Sequence, residues 1–279
     1  MKEEQKQQIT DDLKAFCKQI GSQNKAANAL EISSATVSQI LNNKTELVAD
    51  EMWRHIASRL KGSSNNWQVV ETRDFKLLMQ LYNDAKQNAN VFGIVGSAGS
   101  GKTKATELYT RENSNVFTLQ CSEFWNKKFF LQELLLSMGR DFSGLTVAEM
   151  MYEAVNQLLK KDNPLIILDE ADKLTDQVLY FFITLYNKLE DRAGIILIAT
   201  DHLKKRIERG LKINKKGYQE IYSRLGRKFI ELKGVGYTDV VQVCQANGID
   251  QNKLIKEVWE DCEQDFRRVK RKIHAIKNR

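Results

Sequence analysis

Five short apolar runs recur along the middle of the chain. They are Val91–Val95, Val116–Leu119, Leu165–Asp169, Ile195–Ala199 and Phe229–Leu232. Such runs, rich in aliphatic and β-branched residues, are typical of strands buried on both faces. Helical patterns such as Lys127–Met138 and Val147–Lys160 separate them. This alternation predicts an α/β core with a five-stranded parallel sheet that helices cover on both faces.

The segments on either side of this core have helical patterns. Residues 62–66 are glycine, serine and asparagine, a composition typical of a linker. We therefore predict a small all-α domain at 1–61, a linker at 62–66, the α/β core at 67–235 and a helical lid at 236–279.

A glycine-rich loop follows the first predicted strand and precedes a predicted helix. It consists of Gly96, Ser97, Ala98, Gly99, Ser100, Gly101, Lys102 and Thr103. The pattern G-x-x-x-x-G-K-[ST] in this context is the Walker A motif, whose backbone N–H groups surround phosphates. It predicts that the loop binds ATP, that Lys102 reaches the β- and γ-phosphates, and that the Thr103 hydroxyl binds Mg²⁺.

The third predicted strand ends in two acids, the Walker B pattern. We expect Asp169 to lie in the Mg²⁺ shell and Glu170 to polarise the attacking water. The strand lies between 60 and 70 residues after the loop, with a strand between them, as an added-strand ATPase requires. Thr200 ends the next strand and is the expected sensor of the γ-phosphate or water. Asp201 is either a second polar group there or the cap of the following helix.

Three arginines are candidates for contacts with the γ-phosphate. Arg224 is the first candidate for a finger supplied to a neighbouring subunit and Arg227 the second; alternatively, both bind DNA or acidic neighbours. Arg267 could fold back from the lid.

The net charge of +7 is unevenly placed. Residues 202–233 contain eleven lysines and arginines against three acids, and residues 264–279 contain seven against one. Such segregation predicts a polyanionic partner, although an ordinary solvated basic face is the alternative. The lysines expected to contact DNA phosphates are Lys104, Lys204, Lys205, Lys215 and Lys216.

Residues 23–44 resemble a phage-repressor-type helix-turn-helix. The small Ala27 and four apolar residues, Leu30, Ile32, Val37 and Ile40, fit its core positions. Ser33 fits the cap of the second helix, and Glu31 stands where the turn often has glycine. The residues expected at the major groove or phosphates are Ser34, Thr36, Ser38 and Gln39. A structural or protein-binding helical domain is the alternative.

The N-terminal residues are polar and charged, and no apolar run is long enough to span a membrane. Four scattered cysteines suit a reducing compartment. We expect a cytoplasmic protein with no membrane partner.

The whole arrangement resembles the phage Mu B transposition protein family of AAA+ ATPases. The segments that carry the resemblance are Gly96–Thr103, Leu165–Glu170, Gly194–Thr200, Ile221–Leu225 and Tyr237–Val240. Ala98 departs from a frequent proline and Thr200 from a frequent asparagine.

The resemblance implies an Mg²⁺-dependent ATPase that assembles as a homo-oligomeric helical filament on target double-stranded DNA. It further implies delivery of that DNA to a transposase, which the protein activates, with ATP hydrolysis driving disassembly. A replication loader or initiator-type ATPase, and an ATP-regulated helix-turn-helix transcription factor, are the alternatives.

Overall fold

The computed structural model describes residues 3–20, 22–30, 32–42, 48–63 and 67–279. The chain divides into two compact units, residues 1–68 and residues 69–279. Among the described residues, no helix combines the length and the apolar character needed to cross a membrane.

The described residues of the first unit form four helices. These are α1 (Glu3–Ile20), α2 (Gln23–Ala29), α3 (Ser34–Leu41) and α4 (Asp50–Ser63). Their apolar faces meet in one core that fully buries Leu13, Val37, Ile40 and Trp53. Helix α4 continues to Ser63, so residues 62 and 63 are helical rather than linker, and residues 64–66 lie outside the described part.

The second unit contains the predicted five-stranded parallel sheet, which is confirmed. Its strands are β1 (Val91–Val95), β2 (Val116–Gln120), β3 (Leu165–Asp169), β4 (Gly194–Ala199) and β5 (Ile230–Glu231). The strand order is β2-β3-β4-β1-β5, and every pairing is parallel. Strand β4 lies between β1 and β3, so the residues that follow β4 sit between the phosphate loop and the Walker B acids.

Helices cover both faces of the sheet because successive strand residues point to opposite sides. One face packs on α5 (Arg73–Asn88) and α6 (Lys102–Glu112). The other face packs on α7 (Lys127–Ser137), α8 (Val147–Leu159), α9 (Asp176–Leu189), α10 (Asp201–Lys212) and α11 (Tyr218–Arg224). In β3, Leu165 and Ile167 belong to the first core and Ile166 and Leu168 to the second. Burial on both sides explains why the sequence of β3 is a continuous apolar run.

The C-terminal helices belong to the same compact unit as the sheet. They are α12 (Tyr237–Ala246), α13 (Asn252–Cys262) and α14 (Phe266–Lys277). The buried carboxylate of Asp74, in the first turn of α5, accepts hydrogen bonds from Lys233 N (3.3 Å) and Gly234 N (2.7 Å). This contact fixes the passage from β5 to the lid helices against the first helix of the core.

Candidate nucleotide site

The glycine-rich loop joins β1 to α6 at the carboxyl edge of the sheet. Gly96 N donates to Ala199 O of β4 at 3.1 Å, which anchors the start of the loop. Gly101 is the N-cap of α6 with φ +91°, a conformation that favours glycine, and it has no side chain with which to cap the helix. The N–H groups at the start of α6 and the positive end of its dipole suit a phosphate group.

The ammonium group of Lys102 is held on this loop. Its Nζ donates to Gly96 O and Ser97 O at 2.7 Å each, and to Ser100 Oγ at 3.4 Å. Burial lowers the pKa of Lys102, while the carboxylates of Asp169 and Asp172 act in the opposite direction. The cation and the loop N–H groups therefore lie together, as binding of the β- and γ-phosphates requires.

The predicted magnesium ligands are also brought together. Thr103 Oγ1 donates to Asp169 Oδ2 at 2.7 Å, and Asp169 Oδ1 accepts a hydrogen bond from Glu170 N at 2.9 Å. Asp169 is only 3% exposed, and this burial raises its pKa against the lowering effect of the Thr103 hydroxyl. A hydroxyl and a carboxylate beside a phosphate loop are the oxygen donors that Mg²⁺ prefers. The donor set fits ATP·Mg²⁺.

Glu170 follows Asp169 in a left-handed backbone conformation, with φ +56°. A non-glycine residue there costs on the order of 1–3 kcal/mol, a strain that is common at functional sites. Its carboxylate accepts hydrogen bonds from Lys173 Nζ at 2.8 Å and Gln120 Nε2 at 3.4 Å. Neither partner follows from the Walker B pattern, which specifies only the acids.

The expected sensor Thr200 lies between the two motifs, at the end of β4. It is the N-cap of α10, where its Oγ1 accepts a weak hydrogen bond from His202 N at 3.4 Å. The suggestion that Asp201 caps this helix is therefore wrong, because Asp201 is already the first helical residue. The Thr200 hydroxyl donates its proton to Asp172 Oδ2 at 2.7 Å. Sequence reasoning missed Asp172, although it belongs to the same acidic run, Asp169-Glu170-Ala171-Asp172.

Asp172 lies on a 3-10 turn, Ala171–Lys173, that α10 holds in place. Arg206 Nη1 donates to Leu174 O at 2.6 Å and to Asp172 O at 3.5 Å. The opposite side of the Arg206 guanidinium pairs with Asp176. Arg206 thus joins the turn to the start of α9.

Asp176 is the centre of a cluster of donors. It accepts hydrogen bonds from Arg206, from the Tyr218 hydroxyl at 2.8 Å and from Lys215 Nζ at 2.5 Å. Burial raises its pKa, but the bonds from Lys215, Arg206 and Tyr218 outweigh burial and lower the pKa to about 2. Asp176 is therefore a carboxylate at any physiological pH.

The start of α14 lies against the phosphate loop. Phe266 N donates to Gly99 O at 3.0 Å, and the Asp265 carboxylate fills the space that a side chain on Gly99 would need. Asp265 also caps α14 through Arg267 N at 2.7 Å. The charge of Arg267 is close enough to contribute to lowering the pKa of Lys102, after burial. The lid position predicted for Arg267 is thus near the loop.

The two finger candidates differ in their surroundings. Arg224 Nε and Nη2 donate to Asn187 Oδ1 at 3.1 and 2.7 Å, and the guanidinium lies 5.3 Å from the centre of the Tyr186 ring. In the fully described range 67–279, the contacts of Arg224 are with α9 and α11 and not with its own phosphate loop. Arg227 is exposed in the turn after α11, with φ +58°.

The five lysines predicted to contact DNA fall into two groups. Three form ion pairs within the chain: Lys104 with Glu107 at 2.8 Å, Lys204 with Glu231 at 2.5 Å and Lys215 with Asp176 at 2.5 Å. Lys205 and Lys216 are exposed and have no ion pair within the described residues. The latter two are the more available cations, a distinction that the sequence does not show.

Helix α3 carries the residues predicted to contact DNA in the first unit. Ser33 is its N-cap, as expected, and accepts a hydrogen bond from Thr36 N at 3.0 Å. Ser34 is exposed, and Thr36, Ser38 and Gln39 are half-buried, while Val37 and Ile40 are fully buried. Glu31, the departure from the repressor pattern, lies outside the described residues. The DNA-contacting role of this helix stays a prediction.

Comparison with known proteins places the site in context. Residues 83–207 match the AAA domain, which contains the Walker A loop, the Walker B strand and the end of β4. Over 242 residues, the chain is 23% identical to the ATP-dependent target DNA activator B of Escherichia phage D108 and to that of Escherichia phage Mu, covering 81% of this chain and 74% of each relative. It is 25% identical over 179 residues to the Mu-like prophage FluMu DNA transposition protein B of Haemophilus influenzae, covering 62% of this chain and 60% of the relative.

Proposed function

We propose that the chain belongs with the phage Mu B transposition proteins and that it is an ATP-hydrolysing protein that binds target DNA in transposition. The extent of the similarity carries the proposal. It spans 81% of this chain and so extends well beyond the AAA domain match at residues 83–207. The names of the relatives describe activation of target DNA and DNA transposition, and the proposal extends these roles to this chain.

The geometry of the site supports the ATPase part of the proposal. Lys102 and the loop N–H groups bind the phosphates, and the Thr103–Asp169 pair, joined at 2.7 Å, holds Mg²⁺. When bound, the metal neutralises charge that develops on the phosphate oxygens. Glu170 accepts a proton from the attacking water. Lys173 and Gln120 both donate to its Oε2, so Oε1 is the oxygen that takes this proton.

Contacts with duplex DNA come from two surfaces in this proposal. The exposed Lys205 and Lys216 bind phosphates, which carry no sequence information. Helix α3 adds contacts through Ser34 and its neighbours, at the major groove or the backbone. The protein assembles as a helical filament on DNA, delivers the DNA to a transposase and activates it. Hydrolysis then releases subunits from the filament.

Electron microscopy of the protein with ATP and random-sequence duplex tests this assembly. We expect filaments along the DNA with ATP, none with ADP, and persistent filaments for Glu170→Gln. Rings that form around a helicase or without DNA would favour the replication-loader alternative. Dimers restricted to particular sequences would favour the transcription-factor alternative.

Arg224 provides a second test, because the proposal places it in the ATP site of a neighbouring subunit. Arg224→Ala should bind ATP normally and lose hydrolysis by about 10³-fold or more, the scale of an arginine finger. Mixing it with Lys102→Ala should restore part of the activity, since each variant supplies the half-site that the other lacks. Arg227→Ala, at the second finger candidate, is measured for comparison. Equal losses for both arginines, without complementation in the mixture, would count against a finger role for Arg224.

A further inference from the structure

The Thr200 hydroxyl has a single proton, and that proton is already committed. Oγ1 donates to Asp172 Oδ2 at 2.7 Å, and an ionised carboxylate can only accept. The contact from His202 N, at 3.4 Å, occupies one side of the same oxygen weakly. What the oxygen still offers to a third group is a lone pair.

We propose that Asp172 is a positioning residue that fixes Thr200 as a hydrogen-bond acceptor for the attacking water. This inference rests on the proposed ATPase function. A sensor that donates a proton would bind the γ-phosphate, whose oxygens only accept. A sensor that accepts binds a water proton, so Thr200 and Glu170 act together on the nucleophile.

The surroundings of Asp172 suit a positioning role. Arg206 holds the 3-10 turn in place by donating hydrogen bonds to the carbonyls of Asp172 and Leu174. An ion pair with Asp176 fixes Arg206 itself. The carboxylate is near enough to Lys102 to act on the pKa of that group, after burial and Asp169. The hydroxyl–carboxylate pair is therefore close enough to the phosphate-binding cation for their charges to interact.

The test separates the hydrogen bond from the charge. Asp172→Asn keeps an acceptor oxygen and should retain kcat within about threefold, whereas Asp172→Ala frees the hydroxyl and should lower kcat by about 10- to 100-fold. KM should change little in either variant. Asp162→Ala, an exposed carboxylate before β3 at the opposite edge of the sheet, is the matched control.

Two further measurements do not depend on turnover alone. The ratio of the affinities for ADP and for a non-hydrolysable ATP analogue, measured by calorimetry, should be the same in Thr200→Val as in the wild type. The reason is that a hydroxyl acting as an acceptor donates no hydrogen bond to the γ-phosphate. In a double-mutant cycle, Asp172→Ala should have no further effect on kcat in the Thr200→Val background. Urea unfolding of each variant establishes that it is folded.

Specific results would overturn the inference. A tenfold loss of preference for the ATP analogue in Thr200→Val would show that the hydroxyl donates to the γ-phosphate. A further loss of kcat on adding Asp172→Ala to Thr200→Val would show that Asp172 acts on its own. A wild-type protein without ATPase activity, with or without duplex DNA, would instead refute the proposed function itself. An active wild type matched by Asp172→Ala would refute this inference alone.

Discussion

Two threonine–carboxylate pairs with hydrogen bonds of the same length lie at one edge of the sheet, but different elements hold them in place. Thr103 donates to Asp169 and Thr200 to Asp172, each at 2.7 Å. Asp169 is the last residue of a central strand and is buried, so the sheet itself fixes it. Asp172 lies three residues later on a 3-10 turn, which Arg206 holds through backbone carbonyls.

The difference indicates how each pair can be changed. In the first pair the carboxylate is held firmly, because neighbouring strands and two hydrophobic cores surround the strand β3 that ends in Asp169. The second depends on a few polar contacts in series, from Asp176 through Arg206 to the turn. Perturbing these contacts should alter the second pair while the first, and with it nucleotide binding, stays intact.

Glu170, which lies between the two carboxylates, should give the largest effect. Glu170→Gln removes the acceptor of the water proton while both pairs remain, so kcat should fall by about 10²- to 10⁴-fold. Binding of ATP and assembly on DNA should persist, as measured by calorimetry and microscopy. Lys102→Ala, by contrast, should lose nucleotide binding as well. Normal hydrolysis by Glu170→Gln would mean that Glu170 is not the base.

The first pair should matter for binding as well as for rate. Thr103→Val removes a metal-binding hydroxyl, and kcat/KM should fall by about 100-fold, the equivalent of a few kcal/mol. Half-maximal activity should need more Mg²⁺, a shift that Thr103→Ser, the control, should not show. If Thr200→Val shifted the Mg²⁺ dependence equally, the distinction between the two pairs would disappear.

The contacts of Asp176, which support the second pair, should contribute measurably to the free energy of unfolding. The pKa of Asp176 is lowered from 3.8 to about 2 in the folded protein, which corresponds to about 2 kcal/mol of stabilisation. A carboxylate whose pKa is lower in the folded state stabilises the protein at pH values above its unfolded-state pKa. This stabilisation is lost as the pH falls through the folded-state pKa. Asp176→Asn should therefore lower the free energy of unfolding by about that amount at pH 7.

Urea titrations at a series of pH values check this dependence. The difference in the free energy of unfolding between wild type and Asp176→Asn should be constant above about pH 5. It should become smaller between about pH 4 and pH 2. Asp162→Asn, an exposed carboxylate, serves as the control. A gap that did not change with pH would show that Asp176 stabilises the turn without its charge.

The smallest expected effects concern the lysines. Lys205→Ala and Lys216→Ala should each weaken binding to AT-rich and GC-rich duplexes alike, by a few-fold, and reduce the salt slope by roughly one unit for each phosphate that is no longer bound. Lys204→Ala and Lys215→Ala, their ion-paired neighbours, are matched controls with smaller expected changes in slope. Fluorescence anisotropy at several salt concentrations measures both quantities. Equal slopes for all four variants would argue that the intramolecular pairs do not restrict DNA binding.

Much of the fold could be predicted from the sequence, and so could the two motifs that the structure brings together in the candidate site. Strands buried on both faces have continuous apolar sequences, so β1, β3 and β4 were predicted to within one residue at each end. Thr103 and Asp169 are 66 residues apart, yet both belong to motifs of fixed chemistry. A long separation in sequence therefore did not prevent the prediction that these two residues lie close together.

The remainder depends on contacts between side chains that no motif encodes. Asp172 meets Thr200 only because a single turn after β3 brings the carboxylate back toward β4. Lys215 was predicted to be available to DNA, but its pairing with Asp176 follows from the packing of α11 against α9. Strand β5, predicted at Phe229–Leu232, is one residue shorter at each end, because only Ile230 and Glu231 are in register with β1.

The hydrogen bond from Phe266 N to Gly99 O connects the phosphate loop directly to the start of helix α14. Helix α14 starts at this bond and contains 12 residues, so it is about 18 Å long. A rotation of the Gly99 peptide by about 10° would move the far end of the helix by about 3 Å. That end carries Lys277 and is followed by Arg279, whose guanidinium pairs with Glu257 of α13, so such a rotation would move α13 and the positive charge of α14 together.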